Sequence, residues 1–230
     1  VKKIPTLFVR DENDRRYVTE AVTPGCEWVL ASEGTATRKY DGTCVMCDDD
    51  GRWWARREVK PGKTPPPGFQ AVATDETTGK TVGWEPMEAS AFAKFHAEAV
   101  ERIESIGEDD RHILWAPGTF ELVGPRINGN PERLAEHQLQ RHSMAEVLPL
   151  DDRSFVGLRQ ALLALNEADG CEGVVFHHED GRMAKLKARD FPRPQAAFGV
   201  FVCRRERRHP LRGIAGHADW SPPSITEWAD

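Results

Sequence analysis

Lys39-Tyr40-Asp41-Gly42, continued by Thr43-Cys44, is the stretch on which the fold of this 230-residue chain turns. It follows Thr35-Ala36-Thr37-Arg38, whose β-branched alternation reads as a strand. Alone, a lysine followed two and three residues later by Asp and Gly describes many surface turns. Three later segments give it a context: Phe120-Glu121-Leu122-Val123-Gly124, Glu172-Gly173-Val174-Val175-Phe176 and Lys185-Leu186-Lys187.

Each segment carries groups suited to phosphoryl chemistry. A lysine attacks phosphorus only as the neutral amine, and its free pKa lies near 10.4. Nearby cations or desolvation must favour that form. Lys185 and Lys187 are two apart, so in a strand they share one face and can present paired ammonium groups to phosphates. Asp41 can orient the lysine or a sugar, and Gly42 permits a tight turn and close approach of a nucleotide. Phe120 and Glu121 lie on opposite faces of an alternating segment, and phase alone leaves open which of them meets a base. Glu172 precedes an apolar strand, where a carboxylate suits Mg²⁺ or Mn²⁺.

Composition permits one large domain, or one with a small appendage. Hydrophobic residues make up 39%, enough for a core, and charged residues 30%. No apolar run reaches the length of a membrane span, and Val1-Lys2-Lys3-Ile4-Pro5 lacks a signal-peptide core. Five cysteines, an odd number, point away from a disulfide framework and towards a reducing cytoplasm. The net charge is −6, yet between residues 181 and 213 ten Lys/Arg face two acids, a local charge of +8. Such a basic run on an acidic chain suits a polyanion.

Strands are expected at 28–30, 44–46, 53–57 and 69–74, and late buried strands at 174–176, 184–187 and 198–203. An amphipathic helix is expected over 88–106, with Phe92, Phe95, Ala99, Ile103 and Ile106 at helical spacing. A second is expected over 154–168, stopped by Gly170, and Asn130-Pro131 reads as a further helix start. Strands and helices without regular alternation define an α+β chain.

Other features carry less. Cys44-Val45-Met46-Cys47 has no second pair at zinc spacing, and in a strand its cysteines face opposite ways. The same alternation separates His177 from His178. His137 and His142 miss i, i+4 spacing and are expected on a wet helix face. Trp53-Trp54 and Trp84 suit core packing or base stacking. Phosphate loops of the P-loop or dinucleotide type are absent from the sequence.

Together these segments resemble the ATP-dependent 5′–3′ RNA ligases of the covalent nucleotidyltransferase superfamily, most closely the ligase family first recognised in vertebrates, in shorter form. The likeness spans about residues 36–190. It is carried by Lys39-Tyr40-Asp41-Gly42-Thr43-Cys44, Trp54-Ala55-Arg56 with Lys60-Pro61 and Lys63, and Gly83-Trp84-Glu85-Pro86. Further matches are Phe120 to Gly124 running on to Ile127-Asn128-Gly129-Asn130-Pro131, and Glu172 to His177 with Asp180-Gly181 and Lys185. The resemblance implies an α+β adenylation domain of antiparallel sheets flanked by helices over 1–212, and an irregular tail over 213–230. It implies ATP as donor of a covalent AMP, Mg²⁺ or Mn²⁺ as cofactor, RNA as partner and no membrane. Lys39 would be the adenylated nucleophile, and Thr37 and Arg38 would line the adenine pocket through backbone groups. Asp41 and Gly42 would sit beside the nucleotide. Arg56, or its neighbour Arg57, would contact ribose or the RNA 5′-phosphate. Glu121 would bind the ribose, Glu172 the metal, and Lys185 and Lys187 the AMP and ATP phosphates. Lys60 and Lys63 would meet triphosphate or RNA phosphates. The short stretch after Lys187 leaves little room for the OB domain of DNA ligases and capping enzymes. A DNA ligase, a capping-type guanylyltransferase and a non-catalytic RNA-binding module of this fold are the alternatives.

Overall fold

Alternating burial along the strands decides how the chain folds. In β3 (Thr35–Lys39) and β4 (Thr43–Cys47), Ala36, Val45 and Cys47 are buried, while Thr37, Lys39 and Cys44 stay partly open on the other face. A computed structural model describes residues 3–106 and 116–193, which belong to one unit, Val1–Pro194. The chain runs through β1 (Phe8–Arg10), β2 (Val18–Val22), a helical turn α1 (Glu27–Leu30), β3, β4, β5 (Trp53–Val59), β6 (Gln70–Thr74) and β7 (Thr81–Pro86). It continues through α2 (Ala93–Ile106), β8 (Gly118–Val123), β9 (Gln138–Arg141), α3 (Phe155–Asp169), β10 (Gly173–His177) and β11 (Met183–Lys187).

Among the described residues these strands form three sheets: β1-β2, β11-β10-β3 and β6-β7-β5-β4-β8-β9. Every pairing between these strands is antiparallel, so the class is α+β. Each larger sheet buries one face. Ala36, Val174, Phe176, Ala184 and Leu186 pack with Leu158 and Leu162 of α3 in one core. Val45, Cys47, Ala55, Phe120 and Leu122 pack with Phe95, Ala99 and Ile103 of α2 in a second. The side chain of Ile106 lies outside the described residues. The opposite faces keep the polar side chains.

α3 forms where its end signals stand. Ser154 Oγ accepts the Gly157 N–H at 3.1 Å, and Gly170 ends the helix at φ +80° with its N–H on the Asn166 carbonyl. A β-carbon at Gly170 would also crowd the Pro131 carbonyl.

Several expected elements differ. Residues 28–30 form helical α1 rather than a strand. The Cys26 and Glu27 carbonyls accept the Val29 and Ala31 N–H groups, and the turn buries adjacent Trp28 and Val29, which a one-sided strand would separate. Asn130-Pro131 starts no helix. Asn130 adopts φ +61°, and its side chain both donates to the Leu134 carbonyl and accepts the Leu134 N–H, closing a loop instead. α2 begins at Ala93, because Met87–Ala89 is a 3₁₀ turn and Ser90 Oγ takes the Phe92 N–H. The expected strand at 198–203, the basic residues 204–212 and the boundary at 212/213 lie outside the described residues. None of the described helices is long and apolar enough to cross a membrane.

Candidate active site

Register brings the lysines together. Across β3, β10 and β11, Lys39 lies opposite Gly173 and Gly173 opposite Lys187; Thr37 lies opposite Val175 and Val175 opposite Lys185. All six share the face turned away from the core. Glu172, immediately before β10, reaches back to this row. Its carboxylate accepts Lys39 Nζ at 2.5 Å and also Lys187 Nζ, with Arg189 at 3.7 Å. Only 6% of that side chain is exposed. Burial pushes the Glu172 carboxyl upward, but the charge of Lys39 and the hydrogen bonds from both lysines outweigh it and hold the pKa below the usual range. Among the described residues Lys185 has no such counter-ion at contact distance. Burial first, then Lys187 and Lys39, bring it down to about 8.

The turn Tyr40-Asp41-Gly42 carries the chain from this sheet into β4 of the second. Gly42 is required here by crowding from its own neighbour strand: a β-carbon would run into the Leu122 carbonyl and stand 2.8 Å from Glu121 Cγ. The Gly42 N–H donates to Glu121 Oε1 at 3.2 Å. Glu121 Oε2 lies 3.1 Å from His142 Nε2, and His142 Nδ1 lies 2.9 Å from Thr119 Oγ1. Phe120 is fully buried in the α2 core, so Glu121 is the member of that pair on the polar face.

The same register decides between the two arginines. Val45 pairs with Ala55, which sets Arg56 beside Cys44 on the polar face, while Arg57 turns the other way and approaches Glu85 at 3.8 Å. Burial, then Glu121, pushes the Cys44 thiol up to about 12 against the opposing pull of Arg56 and Lys39, so it stays protonated. Cys47 faces the core. Trp53 packs on Phe120 and His96, and Trp54 and Trp84 are buried. Lys60 and Lys63 are exposed in the loop after β5, lining an open groove with Pro61, Pro65 and Phe69. Lys60 is four residues beyond Arg56, roughly 13 Å along the strand direction.

Thr37 Oγ1 sits 3.0 Å from His177 Nε2 on the polar face; burial, with some help from His142, lowers the pKa of His177. His178 turns outward to Glu33 and Trp28. Arg38 points away from Lys39. Its guanidinium meets Asp169 at 2.6 Å and Glu132 at 2.8 Å, and these carboxylates raise its pKa despite burial, while its N–H donates to the Glu146 carbonyl. Asp41 accepts Asn128 Nδ2 at 3.0 Å.

His137 and His142 occupy no helix. His137 is buried beside Phe95 with Nδ1 2.7 Å from Glu98, and His142 follows β9 in a 3₁₀ turn. Asn128 and Glu132 reach the site without having been singled out as side chains, and His142 reaches it from a turn rather than from the expected wet helix face. The signal available for the loop was its spacing of Asn128, Gly129 and Asn130, the residues that tolerate positive φ; Asn128 adopts φ +48°.

No group of three or more His, Cys, Asp or Glu side chains gathers at a metal-binding point among the described residues. Glu172 is the one carboxylate set among the lysines. A single carboxylate fits Mg²⁺ or Mn²⁺ that is bound mainly through substrate phosphates and water, and does not fit an all-protein cage. No protein-family model matches this chain, and no curated protein does so either.

Proposed function

We propose that the protein is an ATP-dependent RNA ligase of the covalent nucleotidyltransferase type, its sheets and flanking helices forming an adenylation domain. The observation that carries the reading is the in-register row Lys39, Gly173, Lys187, closed by Glu172 at 2.5 Å from Lys39 Nζ. A lysine held at the end of a strand, with two more ammonium groups on adjacent positions of the same face, suits attack on a polyphosphate. Glu121 and Arg56 on the polar surface of the second sheet offer an acceptor for ribose hydroxyls and a cation for phosphate. The choice of RNA rests on the sequence likeness of Thr43-Cys44 and the 127–131 loop.

In the first step Lys39 Nζ loses a proton, for which Glu172 is the near acceptor, and its lone pair attacks the α-phosphorus of ATP. An N–P bond forms while the P–O bond to pyrophosphate breaks, and pyrophosphate leaves with that electron pair. Lys185 and Lys187 offset the charge spread over the phosphate oxygens. An oxygen of the RNA 5′-phosphate then attacks the same phosphorus, breaking the N–P bond and returning the amine, which regains a proton. Finally an RNA 3′-hydroxyl gives up its proton, attacks the 5′-phosphate and expels AMP. Glu172 would be the residue to hold Mg²⁺ or Mn²⁺, which when bound would supply charge withdrawal from phosphate oxygens.

Incubation with Mg²⁺ and α-labelled ATP, followed by denaturation in detergent, should leave a covalent label that acid removes. Lys39→Ala should abolish it. Equal labelling of that variant, or no labelling of the wild type, would refute the reading. Label from GTP alone would favour a capping-type guanylyltransferase.

A further inference from the structure

One loop holds the chain around Lys39 at three residues, Arg38, Asp41 and Gly42. Asn128 Nδ2 donates to Asp41 Oδ1 at 3.0 Å and to the Gly42 carbonyl at 2.8 Å. Glu132 Oε1 accepts the Asp41 N–H at 2.9 Å, and its Oε2 takes the Arg38 guanidinium at 2.8 Å. Arg38 and Asp41 bracket Lys39 and Tyr40, so the nucleophile segment is gripped on both sides. The loop itself is stiffened: Asn130 bonds both backbone groups of Leu134, and Arg38 is anchored a second time on Asp169 at the end of α3. Only 5% of the Glu132 side chain is exposed, whereas Asn128 is exposed at φ +48°. A solvent-facing residue in a left-handed conformation that spends both bonds of its amide on the Asp41-Gly42 turn contributes little to the core.

We propose that Asn128, together with Glu132, is a positioning residue that fixes the Lys39-to-Gly42 turn so that Lys39 Nζ meets the α-phosphorus in line. This role rests on the adenylyl-transfer reading above. Neither side chain touches the reacting atoms; both act through the backbone and carboxylate of the turn. Transfer demands alignment of nitrogen, phosphorus and leaving oxygen, and a displacement of about 1 Å can cost about 100-fold in rate.

The variant that isolates this role is Asn128→Gly, which keeps the positive φ and removes the amide. In the full-length chain, single-turnover adenylation at saturating ATP should fall about 10- to 100-fold while KM for ATP stays within about threefold, the pattern of a lost transition-state alignment. Its melting temperature should match that of the wild type. Asn128→Asp, which sets a carboxylate against Asp41 and the Gly42 carbonyl, should be slower than Asn128→Gly. Glu132→Gln keeps an acceptor for the Asp41 N–H and should retain more rate than Glu132→Ala. An Asn128→Gly rate within about twofold of wild type, or a change confined to KM, overturns the positioning role. Wild-type protein that takes no label overturns the transfer reading, and this role with it.

Discussion

Lys185 is the residue whose surroundings conflict most openly with its charge. Burial beside Lys187 and Lys39 lowers its pKa to about 8, against about 10.4 for a free lysine. Between those values the unfolded chain binds more protons than the folded one, so stability must rise with pH across that window. Below about pH 8 both states carry the proton, and the folded state bears the cost of a crowded ammonium. Urea midpoints measured from pH 7 to 10.5 should climb in the wild type relative to Lys185→Met; the Cys44 thiol, held up at about 12, opposes the rise above about pH 9 in both chains. Lys185→Met should flatten the climb attributable to this group and raise the midpoint at pH 7, while weakening ATP binding. A residue that costs stability at neutral pH and sits among other cations is the kind found at anion sites.

At the scale of elements, α3 shows how far local rules reach. Ser154 and Gly170 stand at the two ends of a run whose leucines face one way, and the helix forms between them. Ser154→Ala removes the acceptor of the Gly157 N–H and should lower unfolding stability by about 1 kcal/mol, measured by chemical denaturation. The strands that carry Lys39, Glu121 and Lys187, and the one that follows Glu172, were legible for a related reason: alternation and β-branched content agree there with tertiary pairing. Legibility failed where side chains bond to nearby backbone. Asn130 carries the cap-then-proline signature of a helix start, yet its amide closes on Leu134 and its φ turns positive. Trp28 and Val29 have strand propensity, but consecutive burial against one core overrides it. The Phe120/Glu121 and Arg56/Arg57 ambiguities needed long-range register, which no local pattern contains. The contacts of Asn128, Glu132 and His142 depend on residues 21 to 94 positions away, so the sequence offered their types but not their partners.

For the molecule as a whole the net charge is −6, yet four described cations gather at one place. Lys39, Lys185, Lys187 and Arg189 surround a single carboxylate, Glu172, on the first sheet; Arg56 stands on the polar face of the second. Each sheet has its own core, one under α3 and one under α2, and between β3 and β4 the backbone crosses in three residues. That short crossing has a mechanical consequence. A door moves least beside its hinge, and Lys39 is the last residue before the hinge pin. Lys185 lies two strands away from it, roughly 10 Å at ordinary strand spacing. If the two sheets shift against each other when a polyanion binds, strands far from this crossing must travel while Lys39 keeps its place. Spin labels on β11 and β7 should therefore separate further on substrate binding than a pair on β3 and β4, and equal displacement of both pairs would rule the pivot out. On this geometry the fold can be generous at its rim and strict at its centre.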